Sequence, residues 1–555
     1  MTIFMELASW CRSLPLNPVP LYNLSLPRLS EIRFPLRRRA RIWYPSLVGF
    51  MATKPSLRTR AAGVLLHPTS LPGPSGIGDL GEDAYRFAEF LASAGQSWWQ
   101  MLPLGPTGFG NSPYSALSSW AGNPLLVSLE LLARESWLRP EEAAAPEAPP
   151  GRTAYGEAEA FKGERLRRAY AAFEARAAGS ARDAFEEFRR DASDWLPDYA
   201  LYRALKEAHG GAAWTSWEEG VRDRKADALG QAHRSLAREV RFHEFVQFVF
   251  ERQWIELRRR CADLGVGLIG DVPFYVSHDS ADVWANQDLF DLGRRGRARR
   301  VAGVPPDLFS RTGQLWGFPI YRWERHRERG FSWWLARFRA ALARFDAVRI
   351  DHFIGFHRTW AVPGRLRTAL RGRWVPAPGQ EIFERLHAER GTFELVAEDL
   401  GIVTPEVEAL RDRFDLPGIR VLQFAFDGTP GNPHLPHRYP RRALAATGTH
   451  DNDTSRGWFE SLESPELRAR VLEYLGSDGR EIHWDMIAAV YRSAADTAIV
   501  PAQDLLGLGS EARMNRPGQP SGNWDWRLRP GTLTGELAAR LKALTASSGR
   551  LRAPA

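Results

Sequence analysis

Four carboxylates stand out in this 555-residue sequence because each closes a short apolar run: Asp271, Asp351, Glu398 and Asp451. A carboxylate in that position is costly to desolvate unless it is paired or put to use. In Val348-Arg349-Ile350-Asp351-His352 the alternation of side chains along a strand puts Arg349 and Asp351 on one face. The guanidinium then favours the ionised carboxylate and orients it, the state a carboxylate nucleophile needs; a structural Arg–Asp pair is the other reading. Glu398 and Asp399 are adjacent acids that point in opposite directions along a strand, so one can face a site while the other binds a loop. Burial and a neighbouring carboxylate can keep such a group protonated near neutrality, as a general acid requires, although acid pairs are also common in turns. Thr449-His450-Asp451-Asn452-Asp453-Thr454 is dense in polar groups. Its His–Asp pair suits sugar hydroxyls; metal ligation is the competing reading, and one histidine with two aspartates at this spacing is a weak ligand signature.

Eight apolar runs must position these groups: 61–67, 97–103, 266–274, 347–353, 393–400, 418–426, 443–450 and 497–505. They alternate with helical stretches, which predicts a parallel sheet, and eight such units fit a (β/α)8 TIM barrel, an α/β fold. In a barrel the acids lie at strand ends that converge on one mouth, where barrel enzymes keep their chemistry. Retaining glycosidases place two carboxyl groups ~5 to 5.5 Å apart, and a third acid on the sugar hydroxyls supports ring distortion. The rhythm breaks over about 130–260, read as a mostly helical insertion, and over about 275–330, read as a loop insertion covering the cleft. The expected boundaries are 1–55 as a basic extension, 56–545 as the barrel domain and 546–555 as a tail.

Composition narrows the classes. Of the net charge of +8, residues 1–50 contribute +5, seven arginines against two glutamates, leaving +3 for the rest. A basic tail thus explains most of the imbalance, and no basic stripe follows, so no nucleic-acid partner is expected. Prolines at 15, 18, 20, 27 and 35 break any amphipathic presequence helix, which favours upstream sequence ahead of Met51 over a targeting segment. Two cysteines, Cys11 and Cys261, suit a reducing, cytoplasmic compartment and provide neither a disulfide framework nor a zinc site. No run reaches the ~18 to 20 apolar residues of a membrane helix. Twenty-one tryptophans exceed ordinary usage; aromatic faces stack on sugars, though Trp98 and Trp99 read as core.

Longer words narrow the reading further. Gly110-Asn111-Ser112-Pro113-Tyr114, Ala121-Gly122-Asn123-Pro124-Leu125, Val301-Ala302-Gly303-Val304-Pro305-Pro306-Asp307, Gly448-Thr449-His450-Asp451-Asn452-Asp453 and Pro520-Ser521-Gly522-Asn523-Trp524 occur in that order. Together they resemble the amylomaltases, 4-α-glucanotransferases of glycoside hydrolase family 77 in the α-amylase clan, over about residues 60–545. The resemblance implies Asp351 as nucleophile, Glu398 as general acid/base and Asp451 as transition-state stabiliser. It implies substrate contacts from Ser112, Tyr114, Asp271, Trp316, Arg349, His352, His450 and Asn523. It further implies no cofactor, no metal, no separate C-terminal β-domain, and α-1,4-glucans, maltooligosaccharides and glucose as substrates. A monomer or weak oligomer is expected, with no membrane partner. Where the family commonly has Trp-Gly-Asn-Pro, this chain has Trp316-Gly317-Phe318-Pro319, which bears on acceptor preference. A hydrolase of the same clan and a non-catalytic glucan-binding protein are the alternatives.

Overall fold

The computed structural model describes residues 55–145, 150–306, 311–519 and 521–552. The basic extension to residue 54, and with it Cys11, lies outside these residues, as do Asp307 and Pro520. Among the described residues there are twelve strands: β1 Ala61–Leu65, β2 Trp98–Gln100, β3 Gly267–Val272, β4 Arg300–Val304, β5 Gln314–Pro319, β6 Ala347–Ile350, β7 Arg358–Pro363, β8 Arg373–Pro376, β9 Leu395–Ala397, β10 Gly418–Val421, β11 Ala443–Ala446 and β12 Thr497–Pro501.

Eight of them, β1, β2, β3, β6, β9, β10, β11 and β12, close into a barrel in that order, every pair parallel. All eight lie in the apolar runs read from sequence, because a parallel barrel strand is covered on both faces and reads as a continuous apolar run. Each strand is shorter than its run. Pairing stops just before two of the acids, since Asp351 directly follows β6 and Glu398 directly follows β9, whereas Asp271 lies within β3. The barrel is tightly packed; a Cβ on Gly63 of β1 would lie 2.3 Å from the Trp98 carbonyl oxygen on β2. Trp98 and Trp99 are fully buried, as core residues.

Between β2 and β3 the chain is helical, with helices at Tyr155–Arg176, Ser180–Asp191, Leu196–Ala208 and Ala237–Asp263 among others. The last of these packs on β3 and on helix Leu196–Ala208, joining the helical segment to the barrel wall. Lys162 fixes the same segment from the side. Its buried ammonium donates to Asp79 and to the carbonyls of Leu125 and Val127 at 2.8 to 2.9 Å, using all three of its donors.

The other four strands form an antiparallel sheet, β5-β4-β7-β8, drawn from both sides of β6. No strand was read there from sequence. Gly303 and Gly317 interrupt β4 and β5, and the partners β4 and β7 lie about 60 residues apart, so neither period nor a hairpin turn marks them. Among the described residues, no strand follows β12 and no helix is long and apolar enough to cross a membrane.

Candidate active site

The barrel register assembles the acids. On β3 and β6, Asp271 pairs with Arg349; on β6 and β9, Ile350 pairs with Ala397. Asp351 and Glu398, one residue further on, therefore sit side by side at the ends of adjoining strands, roughly 5 Å apart along the backbone. The amide of Glu398 donates to the Ile350 carbonyl and that of Asp351 to the Val272 carbonyl, both at 3.0 Å, which fixes both acids to the barrel rim.

Arg349 is the hub. Its guanidinium donates to Asp271 at 2.5 Å and to Asp351 at 3.0 Å. The Asp271 side chain is fully buried, whereas that of Asp351 keeps 26% exposure and so remains reachable from the cleft. The Arg349 charge thus splits between a buried anchor and an accessible carboxylate. Asp271 also accepts from the Tyr114 hydroxyl at 2.8 Å, so it holds two groups while its Oδ1 stays buried without a partner. Burial pushes the Asp271 carboxyl up, against the pull of Arg349.

Glu398 is held differently. Its carboxylate accepts from the His352 amide at 2.7 Å and from the Leu400 amide at 3.2 Å. His352 donates that bond from a left-handed backbone, φ 51°, a conformation a histidine adopts only when its surroundings enforce it. Burial lifts the Glu398 carboxyl to about 8; Arg349 opposes this and the charge of Asp351 reinforces it. Asp399 points the other way, as strand alternation requires. It is buried and accepts from the Ile419 amide at 2.7 Å and from Arg411. Gly418 makes this possible, since a Cβ there would lie 2.3 Å from the Asp399 carboxylate.

Asp451 lies in the loop after β11 and is the most open of the acids, at 48% side-chain exposure. His450 Nε2 approaches its carboxylate at 3.4 Å, and Asn515 donates to it at 2.6 Å. Arg513 donates to its carbonyl at 2.7 Å. His450 stacks on Tyr114 with ring centroids 4.9 Å apart and 21° between planes, and its Nδ1 lies 3.4 Å from the Tyr114 hydroxyl. One polar chain therefore runs from Asp351 through Arg349, Asp271, Tyr114 and His450 to Asp451. Burial lowers the basicity of His450, and holds His352 down to about 4, which keeps the His352 imidazole neutral at pH 7. Asp453 is turned away, accepting from Ser510 Oγ at 2.7 Å. Among the described residues no three His, Cys, Asp or Glu side chains converge as metal ligands.

The remaining residues named from sequence fall in three places. Ser112 caps the short turn Pro113–Ser115, accepting from the Tyr114 amide, and so orients Tyr114. Trp316 stands edge-on to His352 with centroids 4.9 Å apart, and Phe318, on the same side of β5, stacks on Tyr275 at 6.0 Å. Asn523 closes its own loop, accepting from the Arg516 amide and donating to the Gln519 carbonyl. Its neighbour Trp524 is the residue that reaches the site, 5.8 Å from both Tyr114 and His450. Arg513 and Asn515 come from a segment some 60 residues past Asp451 with no spacing that marks them; Trp524 stands in the Pro520–Trp524 word but was not named as a contact.

Asp504 was missed for the same reason. It is buried in the turn after β12 and accepts from Thr447 Oγ1 (2.6 Å), Ser455 Oγ (2.6 Å) and the Ser455 amide (2.7 Å). It thereby clamps both ends of the loop that presents His450 and Asp451.

A family model described as 4-alpha-glucanotransferase matches residues 66–534. A 4-alpha-glucanotransferase of Thermus thermophilus is 49% identical over 500 residues, covering 89% of this chain and 99% of that protein. A chloroplastic/amyloplastic 4-alpha-glucanotransferase of Solanum tuberosum is 43% identical over 89% of this chain and 87% of its own length. The structure of an amylomaltase from Streptococcus agalactiae in complex with acarbose superposes with a TM-score of 0.86 at 37% identity, covering 89% of this chain and all of that one.

Proposed function

The chain belongs to the 4-alpha-glucanotransferase family, glycoside hydrolase family 77, and we propose that it moves α-1,4-glucan segments with Asp351 as nucleophile, Glu398 as acid/base and Asp451 as transition-state stabiliser. The observation that carries the assignment is the contrast between two adjoining carboxyls. Asp351 is accessible and held by a guanidinium; Glu398 is raised to about 8 by burial. Environments that push two neighbouring carboxyls apart mark the nucleophile and the acid of a retaining pair.

In the first step Asp351 attacks the anomeric carbon of the donor glucan. Glu398 gives its proton to the departing glycosidic oxygen, so the leaving chain exits as a neutral alcohol. In the second step Glu398, now a carboxylate, takes the proton of an incoming 4-hydroxyl as that oxygen displaces Asp351. Asp451, held by Asn515 and close to His450, accepts from the sugar's 2- and 3-hydroxyls as the oxocarbenium-like transition state forms. Trp316 and Phe318 on β5, against His352 and Tyr275, supply stacking faces that exclude water from the intermediate. Glucose and maltooligosaccharides are the proposed acceptors.

Incubation with maltotriose tests the reaction. Longer oligomers together with free glucose are expected; glucose and maltose alone would assign a hydrolase, and no turnover a binding protein. The relatives that match nearly the whole chain are named transferases, which favours the first outcome.

The clamp gives a separate expectation. In Asp504→Ala three buried donors lose their acceptor, which costs about 1–3 kcal/mol for each group left unsatisfied. The loop carrying Asp451 loosens as well, and misplacement by about 1 Å costs on the order of 10²-fold in rate. At a temperature well below the variant's unfolding midpoint, kcat should fall about 10- to 100-fold with KM nearly unchanged. Full kcat in the folded variant would show that the clamp serves stability alone.

A further inference from the structure

The small net charge of residues 51–555 conceals a segregation. Residues 292–322 and 357–378, which contain the four-stranded sheet and its loops, hold twelve arginines and a single acid, Asp307, for a net +11. With +5 on residues 1–50 and +8 on the whole chain, the remainder carries −8. The summed charge therefore averages a basic stretch of chain against an acidic remainder.

The arginines are gathered by the fold. The amide of Gly364 donates to the Arg299 carbonyl at 2.8 Å, which puts Arg365 beside Arg299. Arg373 pairs across β7 with Ala361, itself opposite Ala302 on β4. The loop bearing Arg371 is pinned to the sheet, since Trp360 Nε1 donates to the Ala369 carbonyl at 2.9 Å and the Ala369 amide donates to the Thr312 carbonyl at 3.1 Å. Arg297, Arg299, Arg365, Arg367, Arg371 and Arg373 are all exposed, and none has an ion-pair partner among the described residues. Some arginines elsewhere are paired: Arg167 meets Glu207 and Glu239, and Arg540 meets Glu481.

Like charges carried on one small sheet and its loops repel one another over a Debye length of about 8 Å, and a neutral glucan does nothing to offset that. A polyanion does, and the planar guanidinium matches phosphate oxygens two at a time. The position selects the polyanion. The sheet that bears the arginines, on β8 and in the segments flanking β4 and β7, carries Trp316 on β5, next to His352 and the nucleophile. At most three strand spacings, roughly 15 Å, separate β8 from β5, a span a glucan chain of a few units bridges. We infer that this arginine-lined sheet binds phosphate monoesters carried on α-glucan chains and so recruits phosphorylated glucans to the cleft. The inference rests on the glucan-transfer reading and adds to it a substrate class and a second contact surface.

The test compares amylopectin bearing phosphate monoesters with the same polymer after phosphatase treatment. The proteins are the full chain and a variant with Arg365→Ser, Arg367→Ser, Arg371→Ser and Arg373→Ser. All four side chains are exposed, so the variant should fold, and its maltotriose disproportionation should match the parent's. Two or three exposed charge contacts, each a factor of about 2 to 5, predict roughly tenfold tighter binding of the phosphorylated polymer at low salt. That preference should vanish in the variant and in 0.5 M salt, the latter on the order of a 4 Å screening length. Equal binding of the two polymers by the parent overturns the inference, as does a preference that survives in the variant. Displacement of the phosphorylated polymer by lower concentrations of single-stranded RNA would overturn it in favour of a nucleic-acid surface. Failure of the parent to disproportionate maltotriose would instead sink the glucan-transfer reading, so the two failures are distinguishable.

Discussion

Asp351→Asn is expected to lower glucose release from maltotriose by about 10³- to 10⁵-fold, because the amide keeps the shape of the nucleophile and removes its charge. At about 1.4 kcal/mol per decade this is a barrier increase of roughly 4 to 7 kcal/mol, larger than any positioning effect argued above. The substitution should be structurally quiet. Arg349 retains Asp271 as its buried anchor at 2.5 Å, and Asp271 retains Tyr114, so the polar chain to His450 survives. Glucan binding and the thermal midpoint should therefore stay close to those of the parent. A variant that folds, binds and still releases glucose at more than about 1% of the parental rate would remove Asp351 from the nucleophile's role. The structural Arg–Asp pair left open by the sequence predicts the opposite pattern, little loss of rate and a lower midpoint.

What the sequence made legible follows from where each interaction originates. The barrel strands could be read because their cause is local: a run covered on both faces has to be apolar throughout, as in the fully buried Ala-Ala-Gly-Val-Leu of β1. The Arg349–Asp351 pair was legible because alternation within one strand sets it. Asp271 as the second ligand of that guanidinium was not derivable in the same way, since it depends on the β3–β6 register. The same holds for the other missed residues. Asn515 and Arg513 reach Asp451, and Asp504 clamps Thr447 to Ser455, through tertiary proximity that leaves no spacing or period in the chain. The summed charge hides the arginine-rich segments for a related reason: a sum over the whole chain averages away a local excess that two segments far apart in sequence bring to one sheet.

Glu398 gives the expectation with the second largest effect, and its sign follows from its surroundings. A glutamate of ordinary acidity, near 4.3, is more than about 99% ionised at pH 6.5 and has almost no proton to give. Burial raises Glu398 to about 8, so it is protonated at pH 6 to 7 and loses its proton as the pH rises through that value. For maltotriose, kcat/KM should therefore fall about tenfold per pH unit on a basic limb near pH 8. An α-maltosyl fluoride donor expels fluoride without protonation, and its glycosylation step should lack that limb. Glu398→Gln should lose maltotriose turnover by about 10²- to 10⁴-fold, yet release fluoride from the activated donor in a burst of one equivalent per enzyme. It should then stall, because no base remains to activate the acceptor. The charge of Asp351 is among the causes that hold Glu398 up, and esterification of Asp351 removes that charge. The Glu398 carboxyl should become more acidic in the glycosyl-enzyme, turning from proton donor to proton acceptor between the two steps. Asp351→Asn removes the same charge, so carboxyl titration by infrared difference spectroscopy should show Glu398 ionising at lower pH in that variant than in the parent. An unchanged titration would mean that burial alone sets the acid, leaving the change of role between the two steps without a cause in Asp351.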